Sequence, residues 1–203
     1  VIQWQFNAWV GQYDGLYSHF EHDREVPERI CSFLGDSFYN ARPFVLEGGS
    51  IHVDGEGTLL TTRMCLLSAG RNPHMTKQEI ETRLCEYLGV TKVLWLRDGI
   101  DPDETNGHID DVACFVAPGE VACAYTDNPK HPFYDALQKA YTDLCGMTDA
   151  KGRPLKVHKI CCPEETVRIG EFNISAVNGS KARNEGDICI ASVSYTHLTL
   201  PTI

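Results

Sequence analysis

The stretch that decides the fold is Phe44-Val45-Leu46-Glu47-Gly48-Gly49-Ser50-Ile51-His52-Val53-Asp54-Gly55-Glu56-Gly57-Thr58. Asp54-Gly55-Glu56-Gly57 is a strong turn signal, with Asp54 and Glu56 as turn residues. Residues 50–53 and 58–62 on either side are strand-like, so the stretch predicts a β-hairpin entered through Glu47-Gly48-Gly49. Downstream, Ile80, Leu84 and Leu88 share one helical face. Thr76 with Glu79 makes a capping box ahead of that helix, and Gly89 closes it. Residues 92–96 then return as a strand.

The same order follows a second time. Residues 112–116 and 121–125 flank Pro118-Gly119. A helix within 131–145 places Phe133, Leu137, Ala140, Tyr141 and Leu144 on one face, and a strand follows at 155–160. Gly49-Ser50-Ile51-His52 aligns with Gly107-His108-Ile109-Asp110 at an offset of 58 residues. A period near 60 with one element order implies repeated modules. One such module has too little core to stand alone, so several must pack around a common axis. The class is therefore α/β, built of strand–strand–helix–strand units. A glycine before a strand lets backbone crowd the axis, and His108 and Asp110, two apart, share a face of the extended chain. Upstream, Val26, Ile30, Phe33 and Leu34 form another apolar helical stripe, expected to pack into the core.

The 203 residues are 42% hydrophobic and 23% charged, with a formal charge of −10. That balance disfavours a nucleic-acid partner and suits a small cation. No apolar run approaches the ~18 residues of a membrane span. Nine cysteines without a CxxC pair read as reduced thiols of a cytoplasmic protein. Cys65, Cys85, Cys114, Cys123 and Cys189 lie in apolar surroundings and read as core. The chain opens on Val1 inside a strand-like stretch, residues 1–6, so it is expected to begin within a longer polypeptide. Residues 193–202 (VSYTHLTLPT) match one reading frame of an adapter used in DNA library preparation. Residues 192–203 are therefore set aside as a non-native tail, and residues 1–191 as a partial domain.

Taken singly, the polar residues of the two aligned stretches leave their roles open. A glutamate before two glycines serves as a turn residue, and His-x-Asp serves as a hydrogen-bonded pair or half of a metal site. Together they carry a resemblance. Residues 44–58, with Glu104-Thr105-Asn106-Gly107-His108-Ile109-Asp110, Trp4-Gln5-Phe6-Asn7-Ala8-Trp9 and Arg71-Asn72-Pro73-His74, resemble the agmatine deiminases of the pentein superfamily. Val10 departs from the family pattern, where glycine is usual, and the match weakens after Cys161.

The resemblance implies a five-bladed propeller of ββαβ modules, about half of which this chain would supply. It also implies hydrolysis of agmatine, a small cationic guanidine, to N-carbamoylputrescine and ammonia, with no metal or other cofactor. Hydrolysis of a guanidinium needs carboxylates that match its N–H donors, a nucleophile stronger than water, and a group that gives and takes protons near neutrality. By resemblance, Glu47 and Asp110 bind the guanidinium, Glu47 aids proton transfer, and His108 is the general acid and then the general base. The family nucleophile is a cysteine in a glycine-rich stretch near the C-terminus, a setting that none of the nine cysteines has. A further binding aspartate would lie before Val1, so this chain alone is expected to be inactive, with open edges that favour aggregation. A homo-oligomer of the complete protein fits the same reading. The alternatives are a non-catalytic pentein binding module, a deiminase of free or peptidyl arginine, and a metal hydrolase using His52, His108 and Asp110. His52 itself reads as structural.

Overall fold

Among the described residues, alternation of apolar and polar residues, punctuated by glycine turns, produces three small sheets linked by helices. The computed structural model describes residues 1–10, 13, 19–100, 105–166 and 168. Glu104, Cys189 and the 192–203 tail lie outside them. The first sheet pairs β1 (Ile2–Gln5) in parallel with β2 (Tyr39–Val45) across helix α1 (Glu21–Leu34). The second has the order β3 (Ile51–Val53), β4 (Thr58–Thr62), β5 (Lys92–Leu96). Between β4 and β5 lie α2 (Arg63–Leu66) and α3 (Lys77–Leu88). The third repeats the pattern with β6 (Ala113–Ala117), β7 (Glu120–Tyr125), α4 (Tyr134–Cys145) and β8 (Lys156–Cys161).

In both complete units the hairpin is antiparallel and the strand after the helix returns in parallel. The expected repeat of element order is thus present, but the hairpin strands recur at an offset of 62 residues (51 to 113, 58 to 120) and not at the 58 of the aligned glycine words. Asp54 fixes the first hairpin turn, since its Oδ1 accepts from the Glu56 and Thr58 amides at 2.8 and 2.9 Å. Thr76 and Glu79 form the expected capping box at the start of α3, and Gly89 ends it in the left-handed conformation.

The strand period of two decides which core each side chain joins. On β4, Leu59 packs with Phe44, Ile80, Leu84 and Trp95, whereas Leu60 packs with Leu94, Ile109, Val121 and Leu137. The central sheet is therefore covered on one face by its own helix α3 and on the other by the second unit. All five residues of β4 are buried.

The α1 stripe departs from expectation. Val26, Ile30, Phe33 and Leu34 are exposed, Phe33 to 88%, and Cys31 is the buried residue of the helix. Spacing made the helix amphipathic, but the described residues do not cover its apolar face. Among the described residues no helix is long and apolar enough to cross a membrane.

Candidate active site

Two connections deliver the polar residues to one place. Strand β2 ends at Val45, where the Asn72 side chain stands in for a neighbouring strand. Its Oδ1 accepts from the Val45 amide and its Nδ2 donates to the Val45 carbonyl, both at 3.0 Å. Glu47, two residues on, is extended and precedes a single 3₁₀ turn at Gly48–Ser50. The Ser50 amide and hydroxyl both donate to the Glu47 carbonyl, at 3.1 and 2.5 Å.

The second connection bends at Asn106 and Gly107, both with positive φ, a conformation these two residue types tolerate best. The Thr62 hydroxyl holds it by donating to the Gly107 carbonyl at 2.6 Å. His108 and Asp110 were expected on an extended strand. They sit instead on a turn closed by the Val112 and Ala113 amides donating to Ile109, and β6 begins only at Ala113. The turn still brings the two side chains to one side. The two aligned words meet directly, since the Asp110 amide donates to the Gly49 carbonyl at 3.2 Å.

The imidazole of His108 lies between two carboxylates. Its Nε2 is 3.7 Å from Glu47 Oε2 and its Nδ1 is 3.7 Å from Asp110 Oδ1. Both separations exceed a hydrogen bond. Glu47 and His108 are buried, whereas the Asp110 side chain is 25% exposed. Gly49 makes the approach possible. A Cβ there would come within 2.4 Å of His108 Nδ1 and 2.8 Å of Asp110 Oδ2.

Arg71 completes the constellation, and sequence reasoning gave it no role. Its Nε donates to both Glu47 oxygens, at 3.0 and 2.9 Å, and its Nη2 donates to the Thr105 carbonyl at 2.5 Å. Burial raises the Glu47 carboxyl, but His108 and the Arg71 guanidinium outweigh it and hold the group below its ordinary pKa.

Three other histidines have assigned places. His52 accepts from the Phe115 amide through Nδ1 at 3.3 Å, which fits its structural reading. Burial lowers its pKa against the opposing pull of Asp110. His131 is buried, and its Nδ1 accepts from the Phe133 amide at the start of α4. His158 is half-buried, with its Nε2 2.7 Å from Glu120 Oε2.

None of the described cysteines forms a disulfide. Cys114 and Cys123 are buried as expected. Burial and the Asp110 charge raise the Cys114 thiol, and burial pushes Cys123 up to about 12. Cys85 is only half-buried. Cys65 is buried too, yet it does not belong to the apolar core alone. Among the described residues, donor atoms of Glu47, Cys65 and His108 all lie within 4.8 Å of one another. That set could hold a thiophilic divalent cation, and it differs from the His52, His108 and Asp110 set weighed from sequence.

A carboxylate pair flanking a buried imidazole, with an arginine holding one carboxylate, can bind a planar cation and move protons. Comparison with known proteins agrees with such chemistry. The family model for Porphyromonas-type peptidyl-arginine deiminase matches residues 1–196. The chain belongs to that family.

Within it, a curated agmatine deiminase relative from Enterococcus faecalis is 60% identical over 192 residues, 94% of this chain and 53% of its own length. The chain thus spans about half the length of the curated relatives it matches. A solved agmatine deiminase of Enterococcus faecalis has a TM-score of 0.88 at 60% identity, covering 94% of this chain and 53% of that one. A cysteine-to-serine variant of C. jejuni agmatine deiminase, solved with substrate bound, has a TM-score of 0.71 at 29% identity, covering 84% and 48%.

Proposed function

We propose that this chain supplies the guanidinium-binding and proton-transfer half of an agmatine deiminase, an enzyme converting agmatine and water to N-carbamoylputrescine and ammonia. The observation that carries this reading is the convergence of Glu47, His108 and Asp110 around Gly49. The 60% identity to agmatine deiminase relatives supports the substrate. Agmatine lacks the α-carboxylate of arginine, so a site for it needs no cation at that end.

On this reading Asp110 and Glu47 accept hydrogen bonds from the guanidinium and fix its plane. A thiolate adds to the central carbon. His108 donates a proton to the departing nitrogen, which leaves as ammonia. The neutral imidazole then takes a proton from water as the water attacks the thioimidate, and the thiolate is released. The nucleophile is assigned to a cysteine outside this chain, because none of its nine cysteines lies in the glycine-rich setting that the resemblance calls for. The raised Cys114 and Cys123 thiols are poor candidates. The repeated units fit a five-bladed propeller, with the reaction placed at its hub and in the cytoplasm.

The test is ammonia release from agmatine by the uninterrupted reading frame containing this chain. His108→Ala is expected to lower kcat by about 100-fold or more, and Cys65→Ala to leave most activity. The 203-residue chain alone is expected to release none. Full activity in His108→Ala would remove the proposed acid and base. Lost activity in a folded Cys65→Ala protein would make Cys65, beside Glu47 and His108, the thiol to reconsider.

A further inference from the structure

We propose that Arg71 is a positioning residue of this site, one that fixes the Glu47 carboxylate in place and locks it to the segment carrying His108. The inference rests on the deiminase reading and extends it to a residue outside the aligned words. Arg71 lies on the connection between α2 and α3, distant in sequence from both partners. Its side chain is fully buried, and that of Glu47 is 7% exposed.

One planar guanidinium serves two segments at once. Nε lies against both Glu47 oxygens, and Nη2 reaches the carbonyl of Thr105, three residues before His108. The adjacent Asn72 meanwhile grips the backbone of Val45, two residues before Glu47. Arg71 therefore fixes the carboxylate while Asn72 fixes the strand that presents it. Lysine could keep the charge but not both contacts, because a single ammonium cannot present two rigidly divergent N–H groups. A buried carboxylate without this partner would hold its proton to a higher pH. It would then be a poor acceptor for a substrate guanidinium. Arg71 acts through Glu47 and need not touch the substrate.

The experiment compares Arg71→Met, Arg71→Lys and Glu47→Gln in the uninterrupted reading frame, with kcat, KM and the acid limb of the pH profile measured for each. Removal of Arg71 raises the Glu47 pKa, so the acid limb is expected to move up by about one unit or more in Arg71→Met. Arg71→Lys is expected to keep the limb near its original position while kcat falls about tenfold, since a loosened carboxylate misplaces the reacting groups. A merely structural arginine would lower the amount of folded enzyme without moving the limb. Inactive Glu47→Gln with unaltered kcat and acid limb in both arginine variants would overturn the positioning role alone. Fully active Glu47→Gln would overturn the deiminase reading of the site. Where Arg71→Met does not fold, Arg71→Lys decides: an unchanged kcat in that variant overturns the proposal.

Discussion

The two strand–strand–helix–strand units share topology, although the second hairpin shifts register between Phe115 and Ala117, and they differ in what joins the hairpin to the helix. In the first unit residues 63–76 make that link and carry α2, Arg71 and Asn72 across to Glu47 and Val45. In the second unit residues 126–133 do so and bond mainly to themselves. Thr126 accepts from the Asn128 amide, Asn128 from the Lys130 amide, and His131 from the Phe133 amide. The sheets of a repeated fold thus make a frame, and the longer connection brings a charge to the site. The ion pairs follow the same division. Glu47–Arg71 is buried, whereas Glu120 meets Lys156 and His158 at the surface.

The most direct way to break this contrast is to delete one carboxylate from each unit of the uninterrupted protein. Glu47→Ala leaves Arg71 buried and unpaired, and is expected to cost about 3–5 kcal/mol in equilibrium denaturation. Glu120→Ala should leave the midpoint within experimental scatter, because a solvated pair contributes little. Equal losses in the two variants would mean that the first pair is no more structural than the second.

Gly48 and Gly49 provide a sharper comparison within one turn. A Cβ at Gly48 meets nothing within 4 Å, whereas one at Gly49 would strike His108 and Asp110. Gly49→Ala is expected to cost about 1–3 kcal/mol through overpacking. It should also cost about 100-fold in agmatine hydrolysis if the imidazole is pushed aside by about 1 Å. Gly48→Ala should be close to neutral in both measurements.

Much of the frame was legible in the sequence because its causes are local. The Asp54 turn, the Thr76–Glu79 box and the alternation along β4 act within a few residues, and the strands lie within a residue or so of their expected positions. β2 was harder to see, since Pro43 and Arg42 interrupt its pattern. The apolar stripe of α1 was read correctly as a stripe and wrongly as core, because spacing specifies a face and not what covers it. Glu47, His108 and Asp110 stand out in the sequence only as members of matching words. The Arg71 contact to Glu47 spans 24 positions, and nothing in the local sequence of a loop arginine announces its partner.

A pH titration sharpens the comparison with a smaller effect. His52 joins the two units by accepting from Phe115, and burial lowers its pKa from an ordinary value of 6.5. The stability it contributes is therefore present above pH 6.5 and lost as pH falls through the lowered folded value. His52→Gln is expected to flatten the decline that begins below pH 6.5. Glu47 gives the acid counterpart, with its contribution present above its ordinary 4.5 and lost on further acidification. A slope below pH 6.5 that survives in His52→Gln would place the titrating group elsewhere.

The smallest expected change concerns how the long connection meets the N-terminal segment. Val10 holds φ of +83°, and Gly70, next to Arg71, leaves space for it; a Cβ on Gly70 would come within 2.0 Å of the Val10 side chain. A β-branched residue at positive φ is strained, so glycine would be the easier residue at this position. Val10→Gly relieves that strain but frees the unfolded chain and removes a buried side chain, and the two effects nearly offset. The net stabilisation is expected to be no more than about 1 kcal/mol. Gly70→Ala, by contrast, should destabilise, because its Cβ has nowhere to go while Val10 remains. Restored stability in the Val10→Gly, Gly70→Ala double variant would show that the two residues compete for one volume, and simple additivity would show that they do not.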